Sequence, residues 1–125
     1  MKIINTPSAP AAIGPYSQGI ISNGLLFTSG QIPLVPEDMS FLDGNIQEQT
    51  KQVLKNLDAV LAAAGTSWER VIKMNVYMID LADFGKMNEV YERHLGTAKP
   101  ARSTVQVAAL PRGAKIEIEL IASLD

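Results

Sequence analysis

The chain contains no cysteine, which removes disulfides, thiolate nucleophiles and thiolate metal sites together. Its one histidine, His94, cannot form a metal-binding cluster, and near a helix end it is read as favouring the carbonyl terminus, with no catalytic part. A site made only of carboxylates stays open, but no calcium-loop spacing occurs. Neither sign of charge dominates: 11 basic residues against 13 acidic ones give a net charge of -2. Nucleic acid and anionic membranes are therefore not expected as partners. Aromatic residues make up 6% of the chain, and no basic, aromatic surface suited to RNA is evident. No apolar run approaches membrane-spanning length, and the opening MKIINTPSAP lacks the continuous apolar stretch of a secretory signal. A soluble, cytoplasmic protein is expected.

What is present suffices for one domain. With 125 residues, 46% of them hydrophobic, a single modest core can form, so residues 1–125 are read as one unit. The most informative stretch is RSTVQVAALPRGAKIEIELIA, from Arg102 to Ala122. Two alternating runs flank a Leu-Pro-Arg-Gly turn signal, which predicts an antiparallel hairpin or a closely related pair of strands. In the second run Ile116, Ile118, Leu120 and Ala122 share one face, and Lys115, Glu117, Glu119 and Ile121 the other. This pairing would bring Arg102 within reach of carboxylates on the next strand.

Upstream, the Pro- and Gly-rich segment around Ile13–Gly19 predicts a constrained loop entering a short strand. Ser22-Asn23-Gly24 predicts a tight turn before a strand at Leu25–Thr28, with a further short strand at Lys2–Ile4. Pro33–Gly44 reads as loop. Asn45 and Glu48 form a capping-box signature for a helix that Gly65 ends. Its apolar stripe runs from Ile46 through Val53, Leu54, Leu57, Val60 and Leu61 to Ala64, with Gln49, Lys51, Gln52, Lys55 and Asp58 on the other face. A short turn is expected from Thr66. Val71–Ile79 reads as a strand with Ile72, Met74, Val76 and Met78 on one face. Asp80 is the expected cap of a second helix carrying Phe84, Met87, Val90, Tyr91 and Leu95, stopped by Gly96 and Pro100. The class is α+β. Two helices cover one face of such a sheet, and the apolar groups left on the other face call for a second subunit.

Few side chains suggest chemistry. Arg102 is the right type to hold a carboxylate by two hydrogen bonds, although arginines at strand ends are commonly solvated. Glu117 alternates with Glu119 as on any wet strand face. Tyr16 and Tyr77 can donate hydroxyl hydrogen bonds, and Asn88 is expected to satisfy backbone near its helix. Ser29 has no histidine base, which disfavours a serine-hydrolase triad. Gly30 fits a strand end or a close backbone approach.

Several segments in matching order resemble the reactive-intermediate deaminase family, also described under the names RidA and YjgF: AIGPYSQG (12–19), LFTSGQIP (26–33), FGKMNEVY (84–91), PARSTVQV (100–107) and LPRGAKIEIELIA (110–122). The resemblance covers nearly the whole chain. It implies a chorismate-mutase-like subunit in a homotrimer, with a barrel-like central body, helices outside and clefts between neighbouring subunits. It further implies hydrolysis of short 2-imino acids such as 2-iminobutanoate and 2-iminopropanoate to 2-oxo acids and ammonium. No cofactor is implied for the deaminase itself; the enamine precursors come from pyridoxal-phosphate-dependent dehydratases. By the same resemblance Arg102 binds the substrate carboxylate, Glu117 orients or activates water, and Tyr16, Ser29, Gly30 and Asn88 line or support the cleft. Thr104 stands where many members carry cysteine, so a thiol nucleophile is excluded while a small pocket group is kept. Two other readings compete: a noncatalytic small-carboxylate sensor, and a ribonuclease or translation inhibitor.

Overall fold

In the computed structural model, which describes every residue from Met1 to Asp125, alternating runs assemble into a six-stranded sheet, ordered β1-β2-β3-β8-β6-β7. Its strands are β1 (Lys2–Ile4), β2 (Gly19–Ser22), β3 (Leu25–Thr28), β6 (Val71–Met78), β7 (Ala101–Gln106) and β8 (Ile116–Ser123). Helices α1 (Ile46–Ala64) and α2 (Phe84–Leu95) complete the mixed α+β fold. Asn23 and Gly24, both at positive φ, turn β2 into β3, the left-handed pair that a two-residue hairpin requires. The α1 signals act as read. Asn45 Oδ1 accepts from Glu48 N at 2.9 Å, Glu48 Oε1 accepts from Asn45 N at 3.0 Å, and Gly65 closes the helix at φ 80°. No helix is long and apolar enough to cross a membrane.

The core lies between the helices and one sheet face, where Val53, Leu54, Leu57 and Val60 of α1 meet Met74, Val76, Ile116 and Ile118. On the opposite face Phe27 pairs with Ile20 and Ile121, and Phe27 remains 41% exposed. The two-sided apolar character anticipated from the sequence is therefore present.

The expected hairpin between β7 and β8 is not formed. β6 stands between them, parallel to β7 and antiparallel to β8. The reason is α2, which crosses over the sheet and returns the chain to the start of β6, and such a crossover delivers a parallel neighbour. Arg102 consequently pairs with Met74. Five smaller expectations also change. A bulge between Val71 and Lys73 puts Val71 in the core and leaves Ile72 48% exposed. The 33–44 segment contains a two-stranded ladder, β4 (Leu34–Val35) with β5 (Ser40–Phe41). The short turn after α1 is a 3-10 turn at Trp68–Arg70 preceded by Ser67, while the Thr66 hydroxyl donates to Ser123 O. Asp80 caps a separate 3-10 turn at Leu81–Asp83, one step before α2. Gln49, assigned to the wet face of α1, is buried together with Thr50 and Asn56.

Candidate functional site

Glu117 follows Ile116 and precedes Ile118, both buried under the helices, so the strand's alternation sends its carboxylate to the opposite face. There it borders a cavity of about 440 Å3 that Tyr16, Ser29, Gly30, Gln31 and Pro111 also line. Gly30 is required by proximity. A Cβ on it would lie 2.1 Å from Glu117 Oε2, far inside contact distance. With Glu117 placed as it is, residue 30 has no room for a side chain, and a larger residue there would displace the carboxylate. The Ser29 hydroxyl donates to Ser17 O, which ties the loop bearing Tyr16 to the end of β3. Burial first, and the nearby Glu119 second, push the Glu117 carboxyl above its ordinary range. Glu119 has the same parity but a different setting, since it accepts from Tyr77 Oη at 3.0 Å and Asn75 Nδ2 at 3.2 Å.

The walls of this cavity are fixed by buried amides. Gln18 donates from Nε2 to Thr6 O, Ala9 O and Pro10 O, and accepts from Thr6 N. Asn56 of α1 donates to Leu34 O at 2.9 Å and Ile32 O at 3.4 Å. Pro10, Ile32 and Leu34 all line the cavity, so these amides place its apolar side. Gln49 does comparable work next to it, accepting from Lys115 N and donating to Leu42 O.

Arg102 belongs to a second cavity of about 430 Å3 on the helix side of β7, bordered by Asn88, Tyr91, Lys99 and Pro100. Its Nη1 donates to Asn88 Oδ1 at 2.7 Å, and the guanidinium lies 4.7 Å from the Tyr91 ring centre and 5.4 Å from that of Phe84. No carboxylate lies within salt-bridge distance of Arg102, although Glu92 borders the same cavity. Burial pushes the Tyr91 phenol upward, against the pull of the Arg102 charge. Thr104 is on the Arg102 face two residues along β7, but lines neither cavity, and its hydroxyl is buried without a partner.

The predicted site residues therefore separate into two groups. Tyr16, Ser29, Gly30 and Glu117 converge on one face; Arg102 and Asn88 meet on the other. The expected approach of Arg102 to a strand carboxylate within one chain fails because β6 intervenes and the two side chains have opposite parity. Asn88 binds the guanidinium rather than backbone. Sequence reasoning missed Phe84 and Tyr91, assigned only to the helix stripe, although FGKMNEVY spaces Phe84, Asn88 and Tyr91 along one helix face. His94 sits away from both cavities, its Nε2 2.8 Å from Asp58 Oδ1 and its ring edge-on to Trp68. No group of three or more acidic or histidine side chains is arranged to hold a metal ion.

Known proteins share this architecture. The E. coli YjgF gene product superposes with a TM-score of 0.95 at 41% identity, with 100% of both chains covered. E. coli TdcF with bound serine gives 0.94 at 45% identity, covering 98% of each chain. Mouse 2-iminobutanoate/2-iminopropanoate deaminase is 46% identical over 97% of this chain and 90% of its own length. The chloroplastic Reactive Intermediate Deaminase A of Arabidopsis thaliana is 49% identical over 98% of this chain, which spans 66% of the plant protein. The Endoribonuclease L-PSP family profile matches residues 6–124, and the chain belongs to that family, the group that includes YjgF and the reactive-intermediate deaminases.

Proposed function

We propose that this protein hydrolyses short 2-imino acids, 2-iminobutanoate and 2-iminopropanoate among them, to 2-oxo acids and ammonium in a cleft completed between copies of the chain. The observation that carries this reading is the division of the site. An arginine with no carboxylate in salt-bridge contact and a glutamate with a raised pKa stand on opposite faces of one sheet, in two separate cavities. Two copies packed through the apolar outer face and the β7 edge would unite them. A closed homotrimer, as in the family resemblance, provides three such clefts by a head-to-tail interface.

In this arrangement Arg102 of one copy holds the substrate carboxylate by charge-assisted, two-pronged hydrogen bonds. Glu117 of the next copy takes a proton from water as the oxygen adds to the imine carbon. The same carboxyl then returns a proton to the departing nitrogen as the carbinolamine collapses. A carboxyl shifted upward toward neutrality serves both steps better than an ordinary one. The imine carbon is already electrophilic, so orientation and proton transfer suffice, and no step calls on a cofactor. Tyr16 borders the water side of the cleft and Thr104 supports the arginine strand. By the family resemblance, the unstable enamine precursors would come from pyridoxal-phosphate-dependent dehydratases acting upstream. The serine bound to TdcF supports a small amino-acid-like carboxylate as ligand. The ribonuclease reading draws support only from the family's description, set against a net charge of -2 and a single histidine outside both cavities.

The test generates 2-aminocrotonate in situ with a dehydratase and follows imine loss. Arg102→Ala and Glu117→Gln should each lose about 100-fold or more in turnover. Co-assembled from the two inactive variants, mixed oligomers should regain activity, with an intact cleft at about one interface in four for random cyclic assembly. Background rates with wild-type protein would overturn the deaminase assignment, and no recovery in verified mixed oligomers would overturn the shared cleft.

A further inference from the structure

Arg102 carries a full charge against the helix layer with no carboxylate in salt-bridge contact, although Glu92 borders the same cavity. We infer that Phe84 and Tyr91 are positioning residues for this guanidinium, forming with Asn88 a neutral mount that stabilises the cation without consuming it. The inference rests on the reading of Arg102 as the carboxylate anchor.

The mount is a property of α2. Phe84, Asn88 and Tyr91 are spaced four and three residues apart, so they rise along one helix face in successive turns. The central one supplies a carbonyl oxygen 2.7 Å from Nη1, and the flanking ones supply ring faces at 5.4 Å and 4.7 Å. Tyr91 is 7% exposed with its hydroxyl buried; the phenol feels Arg102 as a charge and as a hydrogen-bond donor, and the ring centre lies 4.7 Å from the guanidinium carbon, so the whole side chain faces Arg102. A partly buried cation needs compensation, which proteins ordinarily provide with a carboxylate. At this position a carboxylate would occupy the guanidinium and repel an anionic substrate. Ring quadrupoles and a neutral amide oxygen provide the compensation and leave the charge available.

The experiment measures 2-oxobutanoate binding by calorimetry, along with kcat and KM for dehydratase-generated imine, on assembled wild-type protein and four variants. Tyr91→Leu and Phe84→Leu should weaken binding and raise KM by about 2- to 30-fold with kcat little changed, and Tyr91→Phe, which keeps the ring, should lose less than Tyr91→Leu. Asn88→Asp is the decisive variant. It keeps an acceptor on Nη1 and preserves the fold, yet should weaken 2-oxobutanoate binding at least as much as either leucine variant. Binding equal to wild type for Asn88→Asp and for the folded leucine variants would overturn the mount and leave the deaminase assignment standing. Should wild type bind 2-oxobutanoate through Arg102 without hydrolysing imines, the deaminase assignment fails and the binding series alone judges the mount. Wild-type protein that neither binds nor hydrolyses overturns both.

Discussion

Glu117 and Glu119 show how far two residues of one type can diverge at a separation of one strand repeat. Both read as solvated charges on an alternating strand. Glu119 is satisfied by Tyr77 and Asn75, whereas burial and the neighbouring charge raise the Glu117 pKa. The folded protein therefore holds the Glu117 proton more tightly than the unfolded chain does. Its ionised form costs stability above the raised folded value; that cost fades as pH falls through this value and is gone below the ordinary one. Glu117→Gln should accordingly raise the thermal midpoint at neutral pH, with the gain shrinking to nothing in acid. Paired melts of wild type and variant from about pH 8 to about pH 4 check this, and a gain that grows on acidification would contradict it. The motif surrounding Glu117 was legible in the sequence. Its difference from Glu119 was not, because it depends on Gly30 lying against one carboxylate and Tyr77 against the other, contacts made across strands.

At the scale of elements, local signals were read well where a single segment decides the outcome. The capping box at Asn45, the Gly65 stop, the Asn23-Gly24 turn and the stripe of α1 are all as expected from their residues. Errors arose where a neighbour decides. The bulge at Val71 moves Ile72 out of the core, and the interposition of β6 between β7 and β8 is set by helix docking, which alternation does not encode. The buried amides belong to the same class: Asn56 reads as an ordinary helix polar residue until Ile32 and Leu34 present it with carbonyls. Truncating it as Asn56→Ala leaves those carbonyls without their side-chain donor and should cost about 2–3 kcal/mol, with loosening of the β4 segment that walls the Glu117 cavity. Denaturant unfolding measures the cost, and amide hydrogen exchange at residues 34–42 measures the loosening. A loss near zero with unchanged protection would show that water replaces the amide without penalty.

For the whole molecule, apolar groups of the Leu25–Phe27 segment and Ile121, on the face opposite the helices, carried the expectation of a partner from patterning alone, and the fold adds Ile20 beside Phe27. A stable association buries about 1,000 Å2 or more, and the exposed Phe27 and Val105 lie on the two flanks of that face. The number of copies is not contained in periodicity, since a face records that it must be covered and not by how many chains. The placement of Arg102 and Glu117 on opposite faces has a kinetic consequence. On the proposed shared cleft, a solitary chain would have an anchor without a proton carrier beside it, and catalytic competence would be governed by mass action. Specific activity should decline on dilution in step with the assembled fraction seen by analytical ultracentrifugation, and full activity in a verified monomer would refute this. A freshly synthesised subunit would then be silent until it meets its neighbours, and the abundance of the protein would set not only how many clefts exist but whether any exist at all.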